Sequence, residues 1–451
     1  MSGRDASTLS SDAHPSKWSI AGLRQLAGRL REVSLSVVAS LTILGAMTIA
    51  GILLARILGP AGRGQMATII LWPALLIAFG SFGFAESVTY LIAGRHAKAT
   101  TVVATAALSG IAQALLLIPI GIALFAFVID DTVPAGAAYL NIAAIPFGLV
   151  GIYCLNALNG LGRTTAYHVT RTLPAVLPMV GIVGLAITAS LTVTSAVIAY
   201  VVGLIALNVI AMVCLGYPLR VYASPTVDVF KQLGSFGIKS YISSVPVQLN
   251  YRLDQLLISA FLAPVALGFY TVAITMTSLT QLIGTSVQLV AFPEMARATS
   301  RSAQIALAHM YTKWTIVVSI VVTVPLIIVL PQLIAFLVGD AYGPAVEAGR
   351  ILLIGTVALS TRSLLDGLLK GIGRPLAVGV SEGIALIVTV LFLPLFLHLY
   401  GINGAAAVSM AAYVVSAIVM TVQLARALET SPLRLMFGPV ATVDDADRGS
   451  V

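Results

Sequence analysis

Charge is scarce in this chain: 9% of its 451 residues are Asp, Glu, Lys or Arg, against about 25% in an ordinary soluble domain. That excludes a water-soluble globular protein. Cysteine is nearly absent too, and its two residues, Cys154 and Cys214, both lie inside apolar runs. Neither a disulfide framework nor a thiolate metal cluster is supported. Long polar stretches between the apolar runs are also missing, since the longest internal joints span roughly 20 residues, less than a folded domain requires. No soluble catalytic domain is accommodated. What is there instead is apolar: 59% of the residues are hydrophobic, and the mean hydropathy is +1.01. The formal charge of +8 reports loop orientation in such a protein before it reports any nucleic-acid partner.

A helical crossing needs roughly 20 apolar residues, and that ruler predicts about twelve transmembrane helices in an all-α polytopic membrane protein. Residues 1–33 read as a cytoplasmic polar tail followed by an interfacial basic segment. Residues 34–215 then give a six-helix lobe, 216–237 a cytoplasmic linker, 238–425 a second six-helix lobe and 426–451 a cytoplasmic tail. With the N-terminus inside, the inner joints and tails collect about 20 Lys and Arg residues and the outer joints roughly three, Arg56, Arg63 and Arg350. The expected topology is therefore N-in and C-in.

The turn between the first two spans, Leu53 to Ala67, is rich in Gly and Pro. Gly59 and Pro60 break the helix, and Gly62 and Gly64 permit a tight reversal. A copy recurs in the second half, where Leu58, Pro60 and Gly64 are matched by Leu262, Pro264 and Gly268 at the same spacing. A second copied motif follows the fourth and tenth spans: Gly160-Leu161-Gly162-Arg163 and Gly371-Ile372-Gly373-Arg374. Six spans return the chain to the same side, so the halves form a parallel repeat about an axis along the membrane normal. Because the second copy of the turn lacks both arginines, Gly59, Pro60, Gly64, Pro264 and Gly268 read as structural turn residues. Arg56 is left to cap its helix or reach lipid headgroups.

Arg56-Ile57-Leu58-Gly59-Pro60 with Gly64, the first Gly-x-Gly-Arg motif, and Asp254 ahead of Leu267-Gly268-Phe269-Tyr270-Thr271-Val272-Ala273 together resemble the polysaccharide transporter (oligosaccharide flippase) family. That family belongs to the multidrug, oligosaccharidyl-lipid and polysaccharide exporter superfamily. The resemblance covers nearly all of Ser34 to Ala425. It implies a two-lobed, multi-pass transporter of the bacterial inner membrane, not an enzyme and without a cofactor or metal. Its implied substrate is an undecaprenyl-pyrophosphate-linked oligosaccharide, such as an O-antigen or exopolysaccharide unit, flipped from inner to outer leaflet by alternating access. The implied partners are that lipid-linked substrate, membrane lipid and a coupling ion, sodium or a proton, acting on a monomer; nucleic acid is not among them. A multidrug or cation-coupled exporter of the same superfamily remains the alternative. A membrane glycosyltransferase or polymerase is disfavoured by the short outer joints.

Ionisable groups inside spans are costly and therefore functional candidates. Arg252, with Asn250 and Gln248 nearby, is the candidate for substrate contact, because a guanidinium offers fixed donors to phosphate oxygens; an internal ion pair is the alternative reading. Asp254 lies two residues on, about 200° around the helix. It and Glu86 are the coupling candidates, with a bond from Asp254 to a neighbouring helix left open. Arg362 and Asp366 stand four apart, the spacing of a direct structural pair on one helix face. Glu382 reads as a carboxylate near interfacial water, and Pro246 as a kink close to Arg252.

Overall fold

The computed structural model describes residues 20–128, 132–216 and 224–437. The expected tails over 1–19 and 438–451, the linker residues 217–223 and the outer acids Asp130 and Asp131 lie outside the described residues. Within them the chain is helical throughout, as it must be where no water can satisfy backbone groups. In the first half run α1 (Ile20–Gly80), α2 (Phe84–Ala93), α3 (Ala99–Val128), α4 (Ala135–Ala143), α5 (Ile145–Gly160), α6 (Thr164–Ile187) and α7 (Val193–Leu215). The second half has α8 (Val227–Phe261), α9 (Pro264–Arg297), α10 (Arg301–Val338), α11 (Ala345–Gly371), α12 (Pro375–Ala427) and the short α13 (Pro432–Phe437).

Among the described residues, eight helices are long and apolar enough to cross a membrane, or nine with the bent α9. Two of these are double. At 61 residues, α1 would be ~90 Å long if straight, three times the hydrocarbon thickness. It breaks at Gly59, whose φ of 67° and ψ of −178° are open to glycine at little cost. Pro60 then opens the second arm, where a missing backbone donor costs nothing. Likewise α12 breaks at Gly401, at φ 57° and ψ −137°, and folds back so tightly that Gly404 lies against the carbonyl of Phe396. The more polar α8, 35 residues long, falls outside that set and is counted as a crossing by its length and place in the repeat. The total is about twelve, in the parallel six-plus-six arrangement of the sequence repeat.

The repeat extends to backbone conformation. Gly162 and Gly373 both take left-handed φ values, 68° and 76°, and the arginine after each occupies the position just before the next helix without bonding to it through its side chain, Arg163 before α6 and Arg374 before α12. Their neighbours Gly160 and Gly371 are packing glycines: a methyl group on either would press on the inner end of the preceding half-repeat helix, at Thr89 and Ile92 in one case and Phe292 and Met295 in the other.

Most buried apolar side chains group by half. One cluster joins Ile69, Phe84, Leu149, Leu158 and Val197 in the first half, and three others centre on the second, one of them taking in Ala55 of α1. One expectation changes here. The stretch 216–237, read as a linker, is already helical from Val227, and Val229 and Leu233 are buried in the first half's core. Ser87 Oγ donates to the Leu233 carbonyl at 2.8 Å, and Gly83 and Gly237 approach so closely that neither has room for a side chain. The inner turns of α8 therefore belong to the first half by packing and to the second by continuity.

Candidate functional site

Between the halves lies a cavity of about 430 Å³, lined by both arms of α1 and by α6, α7, α8 and α9. Residues as far apart as Met47 and Ala74 share its wall, which requires the fold-back at Gly59. Its polar lining comprises Arg63, Tyr200, Gln248, Arg252, Gln255 and Thr271, and no carboxylate contributes to the wall. Arg252 is exposed to this space, and its Nη1 donates to Gln255 Oε1, one turn on, at 3.4 Å. No acid pairs with Arg252 among the described residues. The alternative of an internal ion pair is thus not what the structure contains.

Arg63 is the functional candidate that sequence reasoning missed. It was counted as an outer-joint cation in a turn extending to Gly64. The helix resumes at Pro60, which places Arg63 inside the second arm and on the cavity wall. Its Nε is buried with no hydrogen-bond partner. The signal was available in Pro60 itself, a residue favoured in the first turn of a helix. The other outer arginine, Arg56, donates from Nη1 to the Phe336 carbonyl at 3.3 Å, tying the first half to α10.

The turn residues take two different jobs. Gly59 makes the turn by its φ, and Pro60 and Pro264 each begin a helix. Gly64 and Gly268 make no turn; both sit within helices. A methyl group on Gly64 would lie 1.6 Å from the Pro264 carbonyl oxygen, and one on Gly268 would lie 2.0 Å from that of Pro60. The duplicated motifs meet face to face across the two halves, on the predicted outer side. Tyr342 adds a further contact between the halves, its hydroxyl donating to the Ala55 carbonyl at 3.0 Å.

Toward the predicted inner side Gln248 also lines a second space of about 460 Å³, walled by Glu86, Tyr251, Gln288, Arg362, Asp366, Lys370 and Glu382. Glu86 is exposed there at the start of α2. Two corrections arise in this vestibule. Arg362 does not pair with Asp366: its Nε meets Glu382 Oε1 at 2.5 Å, and its guanidinium lies 4.8 Å from the centre of the Tyr251 ring. Asp366 is held instead by Lys370 Nζ at 2.7 Å and by Gln288 Nε2 at 2.7 Å. Spacing on one helix named the wrong partner, because α12 brings a carboxylate closer. Glu382 is correspondingly buried, at 1% exposure, rather than reaching interfacial water.

Asn250 is spent on this pair. Its amide donates to Glu382 Oε2 and to the Glu382 carbonyl, both at 2.9 Å, while Ser416 Oγ donates to Oε1 at 2.7 Å. A buried ion pair is tolerable only with such supporting donors. Asn250 therefore does not face the cavity, whereas Gln248 and Arg252 do. Asp254 points into the second half, where its carboxylate accepts bonds from Tyr270 at 2.6 Å, Ser409 at 3.1 Å and the backbone N–H of Gln255 at 2.7 Å. Its side chain is set apart from the cavity wall on the opposite face from Arg252.

Residues 53–347 match the family described as Polysaccharide biosynthesis protein. The chain belongs to that family. Solved structures similar to this polysaccharide biosynthesis protein are transporters of the MOP superfamily. An inward-facing multidrug resistance MATE family transporter has a TM-score of 0.69 at 16% identity, covering 86% of this chain and 94% of its own. An outward-facing one has a TM-score of 0.59 at 17% identity, with 88% and 95% covered. A MOP superfamily transporter from Pyrococcus furiosus, described by a binding pocket of reverse polarity suggesting a different function, has a TM-score of 0.54 at 15% identity, with 90% and 93% covered. At these identities the likeness establishes the fold. No curated protein matches this family member's sequence at significant similarity. The protein is a multi-pass membrane protein of the polysaccharide biosynthesis family with the fold of those transporters.

Proposed function

We propose that this transporter flips an undecaprenyl-pyrophosphate-linked oligosaccharide from the inner to the outer leaflet of the bacterial inner membrane, for surface polysaccharide synthesis. The observation that carries the reading is the cavity wall with two arginines and no carboxylate. A pyrophosphate entering a low-dielectric space needs charge-assisted donors in place of its water, and guanidinium groups supply them in pairs. Gln248, Gln255, Tyr200 and Thr271 offer the neutral hydrogen-bonding groups that sugar hydroxyls require. An exporter of organic cations needs the opposite polarity. The Pyrococcus transporter has this fold with a reversed pocket polarity that suggests a different function.

In this reading the lobes 34–215 and 238–425 rock about the cavity. Substrate enters through the vestibule while the Gly64–Gly268 contact holds the outer side shut. Gln248, common to both spaces, spans the step from vestibule to cavity. Asp254 serves as the coupling carboxylate for sodium or a proton, set apart from the substrate; Glu86, at the vestibule, is the second coupling candidate.

The test is export in cells. Deletion should accumulate lipid-linked repeat units facing the cytoplasm, and Arg63→Ala and Arg252→Ala should each reproduce that block at unchanged membrane abundance. Normal surface polysaccharide in the deletion strain, or export of a cationic dye that both alanine variants retain, would establish the drug-exporter reading instead.

A further inference from the structure

The second Gly-x-Gly-Arg motif ends in an arginine that nothing described so far employs. In the first half, Arg163 is satisfied internally: its Nη1 donates to the Cys214 carbonyl at 2.5 Å, at the C-terminal end of α7. The corresponding arginine, Arg374, makes no such bond. It is exposed and shares a surface groove with Arg426, a second exposed arginine, at the inner end of α12. Among the described residues neither has an ion-pair partner, and Glu429, the acid next along the chain from Arg426, is held by Arg301. Two unpaired guanidinium groups side by side repel unless an anion lies between them. The N-terminus of the first arm of α12, which begins just after Arg374, adds positive potential at the same place.

This cationic site continues into apolar surface. Ile418 and Val422 line both the arginine groove and a neighbouring groove of about 540 Å³ between α10, α11 and α12, walled by aliphatic side chains such as Ile320, Val357 and Ala358. Pro432 and Met436 of α13 lie along its inner end. The shape is amphipathic, with a doubly cationic head at the predicted inner interface and an apolar channel leading into the bilayer. It is also separate from the transport path. Pro375, Val378, Gly379 and Glu382 line the vestibule from one face of α12, whereas Ala377, Val380 and Ile384 line the arginine groove from another, and no residue is common to the two.

We infer that this flank of the second half is a binding site for a resident anionic glycerophospholipid of the inner leaflet, its phosphate held by Arg374 and Arg426 and an acyl chain lying in the α10–α11–α12 groove. Separation from the cavity and vestibule distinguishes this lipid from transported cargo. The two copies of the motif thus differ in use: Arg163 bonds the end of α7, and Arg374 is left to a ligand.

Native mass spectrometry of the purified full-length protein, titrated with phosphatidylglycerol or phosphatidylcholine of identical chains, tests the assignment. The wild type should retain one phosphatidylglycerol and bind phosphatidylcholine at least tenfold more weakly. Each arginine near an anionic headgroup is worth a factor of about 5, so Arg374→Gln with Arg426→Gln should weaken phosphatidylglycerol roughly 25-fold and leave phosphatidylcholine unchanged. The paired lysine substitutions should restore most of the affinity. Ala358→Trp fills the groove but keeps both arginines, and it should weaken phosphatidylglycerol binding; if the glutamine variant fails to fold, this variant decides. Equal retention of the two lipids by the wild type, retention of phosphatidylglycerol by Ala358→Trp, or its displacement by equimolar undecaprenyl phosphate would each overturn the assignment. The last outcome would give the groove to the carrier lipid.

Discussion

Replacing Gly64 by alanine should force the outer side of the cavity open. The added methyl carbon would lie 1.6 Å from the Pro264 carbonyl oxygen and 3.0 Å from the Gly268 nitrogen. An ordinary carbon–oxygen contact needs ~3.3 Å, so the two helices must part by about 1.7 Å. Both obstructing atoms are backbone, and no rotamer change relieves the clash. Overpacking of this kind costs about 1–3 kcal/mol, levied only on the conformation in which the two helices touch. A penalty of that size shifts an access equilibrium by roughly fivefold to 150-fold toward the open-outside state. The assay is labelling of Thr271→Cys, a cavity-wall position, by a membrane-impermeant maleimide added from outside, in a background with Cys154 and Cys214 replaced. Gly64→Ala should raise the labelling rate and slow transport. Gly268→Ala should do the same, and Gly45→Ala, with nothing within 4 Å of its added carbon, should do neither. Unchanged labelling with wild-type transport in Gly64→Ala would refute the idea that this contact is the outer closure.

Breaking the buried Arg362–Glu382 pair should be expensive. Arg362→Ala leaves a desolvated carboxylate and should lower stability by roughly 3–5 kcal/mol, whereas Arg362→Met combined with Glu382→Leu should recover much of the loss, as read by thermal unfolding in detergent. A double variant no better than the single one would count against the pair. Asp254→Asn keeps an acceptor for Tyr270 but sets an amide against the Gln255 N–H, at a cost of about 1–3 kcal/mol. In proteoliposomes its transport should no longer respond to an imposed sodium or proton gradient; a retained response would remove Asp254 from the coupling role. At the exposed Arg301–Glu429 pair, hydrogen bonding from Arg301 holds the Glu429 carboxyl below its ordinary range. Any stabilisation from it is present above the unfolded value near 4.3 and is lost as pH falls through the lowered folded value. Since both side chains face water, Glu429→Gln should leave the thermal midpoint at pH 7 unchanged within error.

The spans were legible in the sequence because hydrocarbon thickness imposes a length, and the duplication because both motifs survive in both halves. What escaped was set by tertiary packing. Gly59, Gly62 and Gly64 look alike in a row, yet Gly59 alone bends the chain, while Gly64 is small because another backbone lies against it. Reading all three as turn put Arg63 outside the membrane, when the helix had resumed three residues earlier. Arg362 had an acid at the right spacing on its own helix, and the choice between Asp366 and Glu382 depends on how α12 packs, which periodicity does not encode. The inner turns of α8 look like a polar linker because one face is indeed polar; Val229 and Leu233, the residues that dock it, are few among charges. Arg252 was found because an arginine within an apolar run is conspicuous wherever the run folds.

The docking of α8 makes it a strap across the cleft. Its inner end is clamped to one half through Leu233 and Gly237, and its outer half is pinned to the other through Asn250 and Asp254. Neither clamp can slip without unburying a Leu or stranding a buried carboxylate, so relative motion of the halves is concentrated in the dozen or so residues between. Pro246 sits in that interval, where the helix already lacks a backbone bond and bends most cheaply. The first two turns of the helix beyond it carry Gln248 and Arg252. A flexure at Pro246 therefore swings the Arg252 guanidinium relative to the first half, making the joint between the two clamps the same joint that re-aims the cation of the cavity wall.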